Sequence, residues 1–396
     1  MAGYYPRLIS LYRHLGIPLV PTYFDFSFST LLPASRRSAS SPSDTSHRTR
    51  SSHTYFTYAG ASGISIPRLP STSFSSLFAL LDGLIHLLYT ALCFLGLILL
   101  SFLSWHRLFP ALLGHGTTLD TLRHRLWPIP VSAFIDNILV PVFSSVGTMT
   151  ASDVLQAPLP VLLEYVHAGM GTPHYTLGKG FSAASVAARL VQPVQAQGEQ
   201  YVKLGHTITR LEHKDGRVEV GFEQGAGISV DRLVIATQPS AARSLLRLLS
   251  PTLNAVEEKR VEGMILGLGD VDSRVRVLDE MILAATNAQD TIVVTHRDSA
   301  VLPVSEDVRT INFTLPSSFI SAHPAETQTS VTTPYWPPTP DQVYTMGTHV
   351  ISPPAGLTGE KEIYQTTNPI IPIDPDRVLG VARLERYVRR RLVGDT

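Results

Sequence analysis

The sequence contains one cysteine, Cys93, and few charged residues. A single cysteine excludes an intrachain disulfide framework and a structural zinc or iron–sulfur site built from cysteines. Lys and Arg number 32, and Asp and Glu also number 32, so the formal net charge is zero. Because no basic surplus is available to neutralise phosphates, we expect no nucleic-acid partner. Charged residues make up only 16% of the chain, well below the usual ~25%, which indicates that some apolar surface faces lipid or a partner.

Motifs of several common enzyme and targeting classes are also missing. There is no G-x-S-x-G elbow and no Walker loop, so hydrolase and P-loop hypotheses have no support. The 14 histidines show no H-E-x-x-H or paired spacing, and we expect no metal site. Arg7, Arg13 and His14 interrupt the apolar positions near the N-terminus. We therefore expect no signal peptide and an intracellular location.

The strongest physical signal is a long apolar segment. Residues 83–105 contain no formally charged residue, and a helix over residues 83–104 would be about 33 Å long, enough to cross a bilayer core of ~30 Å. Trp105, His106 and Arg107 would supply an interfacial end. A helix buried inside the protein is the alternative, although segments this apolar on every face are uncommon in soluble domains. We predict a membrane-associating helix over residues 77–107, with membrane lipid as the partner of residues 83–104.

A polar segment precedes the apolar one. Residues 34–53 contain eight Ser, four Arg and no large apolar residue, so burial cannot offset the entropy cost of ordering them. We predict a disordered loop inserted between two strand-like stretches, residues 24–29 and 54–58, the first of which alternates between Phe and polar residues. A cluster of phosphorylation sites and a contact with anionic lipid remain as alternatives.

The rest of the sequence predicts a mixture of helices and strands. Two alternating stretches flank the turn Lys214-Asp215-Gly216, and a near-continuous apolar stretch at residues 230–236 is typical of a buried parallel strand. We expect helices at residues 119–126 (capped by Thr118), 131–142 (with Pro141 as an interruption), 160–167 and 240–249. We expect strands at residues 206–213, 217–222, 230–236, 291–296, 309–314 and 342–350.

Gly178 and Gly180 match the G-x-G-x-x-A form of a dinucleotide-binding fingerprint, with Ala183 as the last position. An Ala-rich helix over residues 182–190 follows, and a helix N-terminus is suited to an anion. Only the short stretch 174–177 precedes the glycines, however, whereas the fingerprint follows a buried first strand. We keep Gly178 and Gly180 as candidate cofactor-binding residues but not as the primary pyrophosphate site.

Nine short stretches follow one another in an order known from one enzyme family. They are Tyr5-Pro6-Arg7-Leu8 and residues 15–18 (LGIP), 26–29 (FSFS), 58–62 (YAGAS), 139–149 (LVPVFSSVGTM), 178–180 (GKG), 205–237, 295–303 (THRDSAVLP) and 368–378 (NPIIPIDPDRV). In this order they resemble flavin-containing amine-oxidase-like proteins, and more closely the predicted NAD/FAD-binding oxidoreductases of bacteria and fungi. The resemblance implies FAD as the cofactor and hydride transfer to the flavin from a small apolar or lipid-linked substrate.

The resemblance also implies which cofactor contacts to expect. The strand around Ile208 would lie beside the adenine, and the turn at Ala236-Thr237 would be the other remaining contact. Family members carry a strand and a G-x-G-x-x-G loop upstream of the Tyr-Pro stretch and a Gly-rich segment near their end, whereas here Tyr5-Pro6 follows the initiator and the sequence stops at Thr396. Because those pieces hold the cofactor through backbone N–H groups and a helix dipole, we expect a truncated or degenerate FAD site.

The family resemblance and a membrane-spanning helix predict different positions for the strands on either side of the apolar segment. In the family, the strands before the apolar segment (residues 23–29 and 54–58) and after it (291–314) would share one sheet. A true span would place them on opposite sides of the bilayer. If they share a sheet, residues 83–104 form a monotopic helix that dips into one leaflet or covers a lipid-sized cavity. If the helix spans, the first 76 residues are detached from the sheet.

The sequence therefore predicts an α+β protein, with an incomplete Rossmann-like (α/β) FAD-binding half and a mixed-sheet substrate domain that carries an apolar helical insertion. The leading hypothesis is a truncated or degenerate FAD-dependent oxidoreductase of the amine-oxidase type. The alternatives are a non-catalytic, membrane-associated binding protein and a soluble pseudoenzyme with a buried apolar segment. We assign no catalytic residue, because flavin oxidations take their chemistry from the cofactor. The predicted segments are residues 1–76, 77–107, 108–171, 172–249 (the partial FAD-binding half) and 250–396.

Overall fold

The structure is a computed structural model of the 396-residue chain. It describes residues 3, 5–31, 52–58, 67–113, 116–125, 131–147, 149–249, 286–316, 345–351 and 362–389. Most of the loop predicted at residues 34–53 lies outside the described residues. The chain forms two compact units: Met1–Ser182 with Thr291–Leu384, and Ala183–Asp290 with Glu385–Thr396.

Helices and strands are mixed along the chain, which confirms the predicted α+β class. The helices are α1 (Pro6–His14), α2 (Leu77–Trp105), α3 (Pro110–Leu113), α4 (Leu119–Arg125), α5 (Ser132–Phe134), α6 (Val140–Gly147), α7 (Ala151–Gln156), α8 (Leu159–Gly169), α9 (Ala183–Gln195) and α10 (Pro239–Leu249). The strands are β1 (Leu19–Thr22), β2 (Phe26–Leu31), β3 (Ser52–Tyr58), β4 (Pro67–Arg68), β5 (His174–Leu177), β6 (Ile208–Lys214), β7 (Arg217–Phe222), β8 (Ile228–Val230), β9 (Thr286–His296), β10 (Ile311–Leu315), β11 (Met346–Ile351), β12 (Ile363–Thr367) and β13 (Val378–Arg389).

The first unit is built on an eight-stranded mixed sheet with the order β13-β9-β12-β11-β10-β2-β3-β4. β2 and β10 run parallel, with Ile311 opposite Phe26 and Phe313 opposite Phe28. β2 also pairs antiparallel with β3. The strands that precede the long apolar helix α2 therefore share one sheet with a strand that follows it, as the family resemblance implies.

The two faces of this sheet differ because side chains alternate along each strand. Phe28, Phe56 and Phe313 lie on one face, where their rings pack together beneath the helices. The polar neighbours Ser27 and Asn312 point the opposite way, are fully buried and hydrogen-bond to each other. Buried polar groups are stable only when they are paired in this way, so the alternation fixes which face meets the helices.

The helical layer that covers the phenylalanine face contains one departure from expectation. The helix predicted at residues 131–142 forms but continues to Gly147, so Pro141 does not interrupt it. A π-helical turn, Ile135–Leu139, lies between α5 and α6. A π turn shifts the hydrogen-bond ladder by one residue, which accommodates a residue without an N–H at the start of α6. The predicted cap of α4 is confirmed, since Thr118 Oγ1 accepts the backbone N–H of Thr121 at 3.1 Å.

The second unit contains α9, α10 and a three-stranded antiparallel sheet, β6-β7-β8. The predicted turn between β6 and β7 is confirmed: Asp215 and Gly216 both have positive φ, 50° and 76°, as a two-residue hairpin turn requires. The strand predicted at residues 230–236 is wrong, because strand structure ends at Val230. Among the described strands, β8 is at the edge of this small sheet and pairs with β7 alone. Val234 beyond it is 84% exposed.

Candidate functional site

Gly178 is held by packing against the chain near the N-terminus. It follows β5, which pairs with β1 in an antiparallel sheet that has two strands within the described part of the chain. The backbone N–H of Gly178 donates to the carbonyl oxygen of Pro18 at 2.8 Å. A Cβ at this position would lie 2.7 Å from Cγ of Pro18. The close approach to Pro18 thus explains why the residue is glycine, and its N–H already has an acceptor.

Gly180 is glycine for a different reason. Its φ is +83°, a left-handed conformation, and a Cβ there would meet open space. Phe181 donates its N–H to the carbonyl oxygen of Gly178 at 3.1 Å and closes a turn. A dinucleotide cradle instead presents free N–H groups after a buried parallel strand. The geometry at Gly178 and Gly180 therefore does not fit the pyrophosphate of FAD.

The other three predicted cofactor positions lie in the second unit. Ile208 begins β6 opposite Phe222 and is half-buried. Ala236 and Thr237 are exposed in the irregular segment that leads to α10. Hence the structure places Ile208, Ala236 and Thr237 in one unit and Gly178 and Gly180 in the other. Around the first three, the described strands form an antiparallel sheet without the parallel strand that a Rossmann phosphate site needs.

A row of buried polar residues crosses the eight-stranded sheet on the face opposite the phenylalanines. The His296 imidazole is fully buried, and its Nδ1 accepts the backbone N–H of Asp298 at 3.0 Å. Nε2 therefore carries the proton and donates it to Thr366 Oγ1 at 2.8 Å. Thr366 Oγ1 in turn lies 2.9 Å from Thr348 Oγ1. Burial lowers the pKa of His296, against a smaller opposing effect of the Asp298 carboxylate, so the ring is neutral in this row.

Asp298 connects two loops that cover this face. Its side chain is 2% exposed, and its Oδ1 accepts the N–H of Ala300 at 3.1 Å. Its Oδ2 accepts the N–H of Asp374 at 2.9 Å, while Nη1 of Arg377 lies 3.8 Å from Oδ1. Because both carboxylate oxygens accept hydrogen bonds from the backbone, Asp298 has a structural role and holds the two loops together. Sequence patterns did not single out His296 or Asp298, because their partners lie about seventy residues away in the chain.

Two half-buried histidines flank one aromatic ring where β1, β5 and β11 approach each other. The ring of Phe24 meets His174 edge-on at a centroid distance of 5.3 Å and His349 at 5.9 Å. Burial lowers the pKa of both imidazoles. At neutral pH both rings are therefore uncharged.

The most distinctive surface of the first unit is the outer side of α2. Among the described residues, Leu77–Trp105 is the one helix long and apolar enough to cross a bilayer, with a mean hydropathy of 2.3 over its most apolar window. Only 17% of that window is buried in the protein. One side of α2 packs on the core, where Phe94 meets Tyr58 and Phe134 at centroid distances of 6.2 and 5.1 Å. The opposite side presents a row of leucines and other large apolar side chains to the surroundings.

The sheet bears directly on how α2 can meet a membrane. A single crossing by α2 would put β2 and β3 on one side of the bilayer and β10 on the other. β2 is hydrogen-bonded to both β3 and β10, so the three strands lie on the same side. Because α2 also packs along the core of its own unit, the fold is compatible with a helix that lies on a membrane and incompatible with a single crossing.

Comparisons with known proteins concern the fold. No protein-family model matches the sequence, and no curated protein matches it. A mutant of putrescine oxidase is 10% identical with a TM-score of 0.44 over 93% of this chain and 62% of that chain. Cyclohexylamine oxidase from Brevibacterium oxydans is 10% identical with a TM-score of 0.42 over 96% and 70%. Rab GDI from Plasmodium falciparum is 8% identical with a TM-score of 0.41 over 98% and 73%.

The chain thus spans about three fifths of the length of the putrescine oxidase structure it resembles.

Proposed function

We propose that the chain is a degenerate FAD-dependent oxidoreductase of the amine-oxidase type, and that its intact relatives oxidise an apolar or lipid-linked substrate at an intracellular membrane. The observation that carries this proposal is the parallel pairing of β2 with β10. That pairing joins segments almost three hundred residues apart in one sheet, and the family resemblance implies that these segments share a sheet.

The proposed substrate class follows from where the apolar surface lies. α2 packs beside the same sheet, with His86 edge-on to Phe56 at a centroid distance of 6.4 Å. An apolar molecule that partitions into a membrane next to α2 would therefore reach the first unit without crossing water. Burial of such a substrate away from water is the part of a flavin oxidation that the protein has to supply, since the cofactor carries the redox chemistry.

The proposed flavin site is degenerate because Gly178 and Gly180 do not form a phosphate cradle. Of the remaining candidate contacts, Ile208 would lie beside the adenine of FAD, and the turn at Ala236 and Thr237 would be the other contact. Without a cradle among the residues that the structure describes, we expect the phosphates to contribute little to affinity. We therefore expect FAD to bind weakly and without the large advantage over riboflavin that an intact pyrophosphate site would give.

Titration of the detergent-purified full chain with FAD, followed by flavin fluorescence, tests this proposal. We expect saturable quenching by the wild-type protein, with FAD and riboflavin affinities within about tenfold of each other. Thr237→Trp should weaken FAD binding severalfold, because it fills an exposed contact position. Thr176→Trp, also exposed but in the first unit, is the matched control and should leave binding unchanged. Absence of saturable quenching would overturn the oxidoreductase proposal.

A second candidate function is a non-catalytic, membrane-associated binding protein. The exposed apolar side of α2 favours it, since that surface exists whether or not a flavin binds. A chain that ignores FAD but binds membranes would support this candidate. A chain that ignores FAD and stays soluble and monomeric without detergent would fit neither proposal.

A further inference from the structure

We propose that the outer face of α2 inserts into a single leaflet of a phospholipid bilayer and does not cross it. We define the outer face as Ile85, Leu88, Leu92, Leu95, Leu99 and Phe102, each between 47% and 69% exposed. This inference does not depend on flavin binding, since it concerns a surface of the first unit alone.

The spacing of the outer face places its six side chains in one row. Successive members are three or four residues apart, the interval at which side chains lie above one another on a helix. The inner side of the same turns carries Cys93, Phe94, Leu97 and Leu100, which pack on the core of the unit. One apolar side of α2 is therefore buried against the protein, and the other apolar side is exposed and suited to contact with an apolar medium. A single helix that crossed the bilayer would be surrounded by lipid and would not pack one side against the rest of its own chain.

The residues that flank the outer face favour lipid over a protein partner. A coiled-coil partner is selected by charges on both sides of the apolar seam, and protein interfaces generally carry a polar rim. Here the flanking positions are Leu84, Ala91, Gly96, Ile98 and Leu103. An apolar row with apolar margins is wide enough to rest in acyl chains and lacks the polar edge that a protein contact in water would need.

The two ends of α2 set the depth of insertion. Asp82 is exposed near the start of the helix and Arg107 is exposed just beyond its end, so both mark levels where headgroups or water must be present. Trp105 is half-exposed and stacks on His167 at a centroid distance of 4.7 Å. Tryptophan prefers the headgroup level. A helix held at both ends near that level lies along the interface, with its apolar face ~5–10 Å deep.

Flotation with vesicles tests the insertion. The full chain, transferred from detergent to vesicles of phosphatidylcholine and phosphatidylserine, should float with the lipid. The double variant Leu92→Glu with Leu95→Glu should lose at least tenfold in lipid-bound fraction, because both substitutions charge the outer face. The matched control is Leu204→Glu with Val234→Glu, which charges two residues that are 83% and 84% exposed in the second unit; it should float like the wild type. Equal flotation of both double variants would overturn the proposal.

Labelling from one side separates insertion from crossing. In a Cys93→Ser background, Ser75→Cys and His106→Cys place one thiol at each end of α2. A membrane-impermeant maleimide added outside intact vesicles should modify both positions to the same extent. Modification of only one position until the vesicles are lysed would show a crossing and overturn the proposal. A discrete dimer in water that does not float with vesicles would also overturn it, in favour of a second copy of the chain as the partner of the outer face.

Discussion

Ser27 Oγ donates a hydrogen bond to Asn312 Oδ1 over 2.7 Å, joining two fully buried side chains 285 residues apart in the sequence. The bond lies between β2 and β10, the parallel pair that ties the start of the chain to its last third. Asn312 also accepts the N–H of Arg309 and donates to the carbonyl oxygens of Arg309 and Thr348. This one amide therefore holds three segments of the first unit together.

Replacement of Asn312 should be costly. Asn312→Ala leaves the Ser27 hydroxyl and the Arg309 N–H buried without an acceptor, and we expect a loss of about 3 kcal/mol in unfolding free energy. Ser27→Ala removes one hydrogen bond while Asn312 keeps its others, and should cost about 1 kcal/mol. Denaturant unfolding measures both values. Thr176→Ala at an exposed position is the control and should change stability by less than ~0.5 kcal/mol. Equal effects of Asn312→Ala and Thr176→Ala would contradict the proposed role of the amide.

Stability should fall as the pH drops below the ordinary pKa of histidine. Burial lowers the pKa of His296, His174 and His349, so the unfolded chain binds protons more readily than the folded one. The stabilising contribution is complete above about pH 6.5 and is lost as the pH falls toward the folded-state pKa values. Thermal unfolding between about pH 5 and 8 should show this slope.

The His296 part of that slope can be isolated. Besides Asp298, the charged or titratable groups around the ring include Tyr364, whose ring centroid lies 5.7 Å away, and Arg377 and Asp374, which interact with Asp298. His296→Gln keeps one donor for Thr366 and one acceptor for Asp298 but cannot titrate, so it should make the slope shallower, with the contributions of His174 and His349 remaining. His213→Gln, at an exposed position on β6, should leave it as steep as in the wild type. A slope that His296→Gln leaves unchanged would refute the assignment.

The two glycines of the predicted fingerprint should behave as structural residues. Gly178→Ala brings a Cβ against Pro18 and should destabilise the first unit by about 1–3 kcal/mol through overpacking. Gly180→Ala meets open space but keeps a positive φ and should cost about 1 kcal/mol. We expect FAD titrations of Gly180→Ala to match the wild type. A large loss of flavin affinity in this variant would instead place the phosphates at Gly180.

Local patterns in the sequence predicted the elements but not the residues that connect them. The alternation of Phe26, Ser27 and Phe28 predicted β2, and the apolar run predicted α2, because both signals lie within a few neighbouring residues. The strand at residues 230–236 was mispredicted, because an apolar run cannot show whether a partner strand lies beside it. The His296–Thr366 and Asp298–Asp374 contacts have no local pattern and emerge only when distant loops meet.

Only part of the candidate site could be predicted, because contacts between distant segments leave no local pattern in the sequence. The resemblance implied that strands on both sides of α2 share a sheet, and the pairing of β2 with β10 confirms this. The G-x-G-x-x-A spacing suggested a phosphate loop, yet spacing alone does not report that the N–H of Gly178 is bound to Pro18. That α2 packs one apolar side on the core and leaves the other side exposed also follows only from the packed structure. The cofactor assignments at Ile208, Ala236 and Thr237 stay predictions.

The visible absorption spectrum of the full chain, incubated with excess FAD in detergent and then freed of unbound flavin, tests the oxidoreductase proposal most directly. The account predicts a retained flavin band whose amplitude rises with FAD concentration to a plateau, with a shape altered from that of free FAD. A colourless protein at every FAD concentration would contradict it and leave the proposed membrane insertion of α2 as the function to pursue.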